Sequence, residues 1–373
     1  MSGRTLTAIA IVSLACGQTP VAVEPAPSQI PAETATTAAS QPAAETAALR
    51  LVASLQANSE EKYSNVAVLA ESLDGKLLAW GYPNGMVCVH SFEDGKTSTV
   101  LDLSHMETLS RRVKDIAFDE EGRLWWRDAT SGVFCADISG KEPRIDRVMA
   151  LQGYNVISSN LLPWGVVTDE EKFIRLRLKT YLKLTIIDSE KGYTSDVVFP
   201  DLRPGGAVNE LIQRAVRSPD GKYLMAVADG DAALLNLPDM KIIRRFGQGW
   251  GESAAFSPSS KLVAMGTYCR GIFVWETETG NLVKHIPLKR SDVVQSLVFV
   301  GEDTLYANTH PVSRIDIKSG AVEAVADIRQ MNAVRLLLSR SGDRLFIGMH
   351  GGAVEVYALP PKDVLPKEAV AEK

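Results

Sequence analysis

Four cysteines, Cys16, Cys88, Cys135 and Cys269, and five histidines, His90, His105, His285, His310 and His350, are the side chains here that could hold a metal or act as nucleophile and base. Their spacing matches no zinc pattern, in which close pairs let two ligands reach one tetrahedral ion. A nucleophilic serine elbow, a phosphate-cradling glycine loop with its lysine, and a calcium loop of alternating acids closed by Glu are all missing. Asp229-Gly230-Asp231 sets two carboxylates close together, but an intervening glycine in this context reads as a hairpin turn. Arg175, Arg177, Lys179 and Lys183 fall on alternating positions of an extended stretch and would form one basic sheet face, read as solvated surface. The expectation is a non-catalytic protein without metal or cofactor.

The elements that would position any site announce themselves by repetition. Ser218-Pro219-Asp220-Gly221-Lys222-Tyr223-Leu224 is echoed by Ser72-Leu73-Asp74-Gly75-Lys76-Leu77-Leu78, by Ser257-Pro258-Ser259-Ser260-Lys261-Leu262 and by Ser339-Arg340-Ser341-Gly342-Asp343-Arg344-Leu345. Each copy separates two short apolar runs, so each is the turn of a hairpin. A hairpin repeated along one chain means a repeat architecture. The 373 residues are 45% hydrophobic and 23% charged, ample for a large core, and the net charge of -5 argues against a nucleic-acid partner.

From Ala48 to Leu359 the turn signals divide the chain into seven blocks. The first runs Val66-Ala67-Val68-Leu69, turns at Asp74-Gly75, continues through Leu77 to Trp80, turns again at Pro83-Asn84-Gly85 and ends Val87-Cys88-Val89-His90, with a fourth strand near Thr97 to Leu103. Cys88 and Cys135 take equivalent places in the first two blocks and are expected to be small core residues. The third block is the least regular; Phe173 to Leu178 and Leu182 to Ile187 alternate in period two, as half-buried strands do. The last block supplies only three strands, while Leu51-Val52-Ala53-Ser54-Leu55 stands alone before the first. Pairing Leu51–Leu55 with Ala353-Val354-Glu355-Val356-Tyr357 would hide both edges and join the ends.

With Ser253 to Gly266 followed by Gly271-Ile272-Phe273-Val274-Trp275-Glu276, the chain resembles the WD40 family of β-propellers, Trp275-Glu276 standing where that family has Trp-Asp. Elsewhere the pair is degenerate, and the Gly-His dipeptide that opens a typical repeat is missing. The resemblance implies an all-β fold: a seven-bladed propeller of four-stranded antiparallel blades over residues 49–360, the last blade closed by the N-terminal strand. It also implies that the loops joining second to third strands and each repeat to the next share one face. By position that face would gather Tyr82 and Asn84, Asp128, Trp250, Tyr268 and Arg270, and Met349 and His350. Aromatic, Arg and Met side chains suit the core of a protein contact; the same residues also suit ordinary turns with partly packed rings.

Residues 1–15, with Arg4 ahead of the apolar stretch Leu6 to Ala15, have the form of an export signal too short to span a bilayer. Val12-Ser13-Leu14-Ala15-Cys16-Gly17 resembles a bacterial lipoprotein signal, which implies a lipidated Cys16 at the mature N-terminus; Ser13 and Ala15 also fit an ordinary cleavage site. Residues 16–48, rich in Ala, Thr, Pro and Ser, cannot bury enough surface to fold, and about 30 such residues reach roughly 30 Å. Residues 361–373 form a charged tail. The expected protein is a monomeric cell-envelope lipoprotein, anchored in a membrane through Cys16, that presents a rigid propeller face to a protein partner. A propeller hydrolase or lactonase with acidic groups or a metal at its channel, and a cytoplasmic scaffold, are the alternatives.

Overall fold

The repeated turn phrase closes a local circuit of hydrogen bonds that explains its residue types. Ser218 Oγ accepts the Tyr223 amide at 2.9 Å and donates to Asp220 Oδ1 at 2.6 Å, and that carboxylate accepts the Lys222 amide at 3.0 Å. Gly221, at φ +75°, donates its amide to the Ser218 carbonyl at 2.9 Å. Ser72, Asp74 and Gly75 repeat this arrangement. Asp119 takes the serine's place in the second block, where its carboxylate accepts the Arg123 amide at 2.8 Å. At the Ser257 turn the left-handed position is held by Ser260, the only non-glycine residue with positive φ among the described residues, at +63°.

These turns make the fold's stability depend on acid pH. The Ser72 hydroxyl and the Lys76 amide hold Asp74 below its ordinary carboxyl range. Burial works against ionised Asp220, but bonds from Ser218, Lys222 and Ser260 outweigh it and leave that group lowered too. A folded-state pKa below the unfolded one means stability that is present above the unfolded value and lost as pH falls through the folded one. Melting temperature should therefore drop as pH falls below about 4, and Asp74→Asn together with Asp220→Asn should flatten that drop.

The computed structural model describes residues 49–57, 65–101, 113–119, 121–128, 132–140, 143–150, 166–174, 177–188, 192–199, 212–228, 232–236, 241–246, 251–289, 293–309, 311–325 and 333–360. All belong to the compact unit Thr46–Lys373. The fold is all-β. After β1 (Arg50–Leu55), β2 (Val68–Glu71), β3 (Leu77–Gly81), β4 (Val87–Ser91) and β5 (Thr97–Leu101) form the first sheet, and β6 (Val113–Phe118), β7 (Leu124–Asp128), β8 (Gly132–Asp137) and β9 (Arg144–Ala150) the second. The third has β10 (Val166–Ile174), β11 (Arg177–Asp188) and β12 (Gly192–Phe199). The fourth holds β13 (Ile212–Arg217), β14 (Tyr223–Ala228), β15 (Ala232–Asn236) and β16 (Lys241–Arg245), and the fifth β17 (Gly251–Phe256), β18 (Leu262–Thr267), β19 (Ile272–Glu276) and β20 (Leu282–Ile286). The sixth comprises β21 (Leu297–Phe299), β22 (Thr304–Ala307), β23 (Ser313–Asp316) and β24 (Val322–Ala324); β25 (Ala333–Leu338), β26 (Arg344–Met349) and β27 (Val354–Ala358) follow. The last three strands are completed by β1 in the order β1-β27-β26-β25, with Leu51 opposite Tyr357 and Leu55 opposite Val354.

First strands of neighbouring sheets pack together: β6 on β2, β2 on β25, β25 on β21, β21 on β17 and β17 on β13. Six four-stranded antiparallel sheets thus follow one another in a propeller-like arc. The interior lies between sheet faces. Trp80, Phe346, Val354 and Val356 pack at the junction of first and seventh sheets, and Tyr306, Leu336, Leu345 and Ile347 at that of sixth and seventh.

Two expectations change. Phe173–Leu178 is no single strand: Ile174 ends β10 and pairs with Arg177 at the start of β11, in a sheet with three strands among the described residues. Arg177, Lys179 and Lys183 share β11, while Arg175 lies outside the described residues. Cys88 and Cys135 are both buried, yet they are not equivalent. Leu78 pairs with His90 and its counterpart Leu124 with Ala136, so Cys88 corresponds to Phe134, one position from Cys135 and on the other face.

Candidate functional site

Junctions between sheets are built by size complementarity that repeats along the chain. At three of them a Gly at or next to the end of the sheet's second strand precedes the residue whose carbonyl accepts the amide of a Val leading the next sheet. Val113 reaches Tyr82 O at 3.2 Å, Val294 reaches Thr267 O at 3.2 Å and Val66 reaches Met349 O at 3.1 Å. The valine methyl fills the space a side chain would need; a Cβ on Gly81 would stand 2.5 Å from Val113 Cγ1, and one on Gly266 2.5 Å from Val294 Cγ1. Between fourth and fifth sheets the sizes are exchanged: Val227 stands where the others have Gly, and Gly251 faces it.

These bonds place the start of each following sheet at the end where the second-to-third-strand turns lie. The turns 82–86, 267–271 and 349–353 accordingly share the end of their sheets that the resemblance implied. The first and last are directly joined. Trp80 Nε1 donates to Tyr82 Oη at 2.7 Å, and Tyr82 Oη donates to the Gly352 carbonyl at 2.6 Å, all in the interior. Glycines 351 and 352, at φ +95° and +86°, let the backbone fold over the ring.

Tyr82 is consequently a core residue, 0% exposed, at the junction of first and seventh sheets, and Met349, 7% exposed, lies in the core between sixth and seventh sheets rather than on a surface. Both were expected at the binding face; Tyr82 is turned inward because its hydroxyl bonds to Gly352 of the seventh sheet, and Met349 because it packs with residues of the sixth and seventh sheets. Tyr82→Phe should cost roughly 1–3 kcal/mol, since the Trp80 N–H and Gly352 C=O lose their shared partner inside the protein; urea unfolding measures it.

The exposed candidates are Tyr268, Arg270 and His350, with Asn84 half-buried. Tyr268 is 46% exposed and sits in a loop with an ordered frame. Thr267 Oγ1 donates to the Gly271 carbonyl at 2.8 Å and accepts the Arg270 amide at 3.1 Å. His285, stacked on Phe273 with ring centroids 4.3 Å apart, donates through Nε2 to the Arg270 carbonyl at 2.8 Å. Cys269 is exposed between the two candidates. Asn84 Oδ1 accepts the Met86 amide at 3.2 Å and so shapes its own turn. The Asp128 backbone ends β7 opposite Val113, at the same end. Cys16, Trp250 and Asp229–Asp231 lie outside the described residues.

Sequence reasoning missed Thr267 and His285. A threonine three residues before Arg270 is a legible turn signal. His285 carried none, because it reaches the loop from the outermost strand of its sheet. Among the described residues no group of three His, Cys, Asp or Glu side chains could hold a metal ion. No protein-family model matches the chain, and the search of curated proteins finds no match.

Proposed function

We propose that the protein is an exported, lipid-anchored, seven-bladed β-propeller whose loop face captures a protein partner without catalysis. The observation that carries this reading is the Tyr268-Cys269-Arg270 loop: exposed side chains of the kinds that dominate contact cores, on a backbone held by Thr267 and His285. A loop fixed before binding loses little conformational entropy on contact, which favours a rigid recognition surface. Support for the ring comes from the arc of six sheets and from β1 completing the last one. In this reading the third sheet fills the remaining gap, and Cys16 with residues 16–48 tethers the propeller to the membrane.

Crosslinking in cells, with and without Trp250→Ala and Arg270→Ala, tests the face. The expected result is loss of the crosslinked neighbour with little change in melting temperature; parallel loss of both would sink it. Fatty-acid labelling tests the anchor, which should appear in the wild type and vanish in Cys16→Ser.

A further inference from the structure

The sixth sheet carries a polar row on the face it packs against the seventh. Val298, Tyr306, Arg314 and Glu323 stand opposite one another across β21 to β24. Tyr306 is packed among Leu336, Leu345, Ile347 and Tyr357 and is 3% exposed, and its hydroxyl makes no hydrogen bond among the described residues. Arg314 lies one strand outward with its side chain 20% exposed. Its Nε is buried and has no acceptor among the described residues. Its ion-pair partner, Glu323 Oε2, is 3.6 Å from Nη1, beyond a hydrogen bond, on a side chain that is 46% exposed.

A buried guanidinium N–H is seldom left without an acceptor, as Arg314 Nε is here; the ring of Tyr306, directly opposite on the neighbouring strand, is packed, but its hydroxyl is not among the buried unsatisfied atoms and is open to a ligand or water. The seventh sheet does not supply the acceptor: Glu355 faces the same junction, but its Oε2 accepts the Tyr357 hydroxyl at 2.6 Å. We propose that this junction is a carboxylate-binding subsite, in which Arg314 Nε and the Tyr306 hydroxyl donate to one carboxylate that displaces Glu323. A guanidinium presents Nε and an Nη side by side, matching the two oxygens of a carboxylate. With Glu323 and Glu355 nearby, a monoanion that takes over the Glu323 position keeps the local charge unchanged, whereas a phosphate dianion would add to it. The ligand class is the free C-terminus or an acidic side chain of a peptide. The subsite is on β22–β24, away from the 267–271 loop, so it stands or falls independently of the loop face.

The test is calorimetric titration of the full chain, at constant ionic strength, with acetyl-Ala-Ala bearing a free C-terminus, with its C-terminal amide, and with acetyl-Asp-amide. Binding of either carboxylate peptide but not of the uncharged amide is expected, and which of the two binds identifies the source. Tyr306→Phe, which keeps the packed ring, should weaken binding about tenfold, and Glu323→Gln should tighten it by a similar factor. Equal binding of the uncharged amide, unchanged affinity in Tyr306→Phe, or no binding of any carboxylate probe to the wild type and to Glu323→Gln would overturn the proposal. Glu323→Gln changes a half-exposed side chain, so its result stands even if the Tyr306 variant fails to fold.

Discussion

A chain that starts at Ala57 is expected to lose cooperative unfolding and to elute as aggregate, while one that starts at Ala48 unfolds like the full-length protein. The difference is β1. Its removal strips β27 of its outer partner along Arg50–Leu55 and leaves backbone groups of Val354–Ala358 that faced it unpaired. An open edge bearing apolar side chains is a template for pairing with other chains. Leu49 and Leu55, each 8% exposed, would also vanish from the core. Burial of two leucines contributes about 3–6 kcal/mol, a large share of the roughly 5–15 kcal/mol by which a domain is stable. Size-exclusion chromatography and urea unfolding of the two chains decide it. Matching midpoints would show that β1 is dispensable.

Gly251→Val should be the most damaging single substitution at a sheet junction, and Val227→Gly should partly rescue it. A Cβ on Gly251 would stand 2.2 Å from Val227 Cγ1 and 3.0 Å from Met265 Sδ, so even alanine cannot enter without displacing the fully buried Val227. Overpacking of this kind costs about 1–3 kcal/mol and occasionally more. Val227→Gly alone opens a cavity and adds strand flexibility, and it too destabilises. Together the two changes restore the arrangement of the Gly81, Gly266 and Gly348 junctions, with Gly on the second strand and Val leading the next sheet. The double variant should therefore be more stable than the sum of the singles by at least about 1 kcal/mol, the size of coupling seen between residues in contact. Additive losses would mean that the junction is not a matched pair.

Much of this architecture was legible in the chain because its causes are local. Ser218, Asp220 and Gly221 bond to groups within five residues, so their phrase marks a hairpin wherever it occurs. The unpaired Leu51–Leu55 run and the three-stranded last block also disclosed the pairing of β1 with β27, since a sheet edge and a spare strand are both visible as patterns. The candidate face was legible only as a set of loops. Tyr82 and Tyr268 are both tyrosines beside a glycine-containing turn, yet one is 0% and the other 46% exposed.

What the sequence determined by itself was therefore the all-β class, the hairpin turns and the pairing of the first strand with the last. Register and packing decided the rest. Side chains alternate across a strand, so a one-residue offset put Cys88 and Cys135 on opposite faces and made Phe134 the true counterpart of Cys88. The exchange of Val and Gly between positions 227 and 251, the inward turn of Tyr82 and the meeting of Tyr306 with Arg314 depend likewise on contacts between strands or sheets, and local propensity carries no information about those.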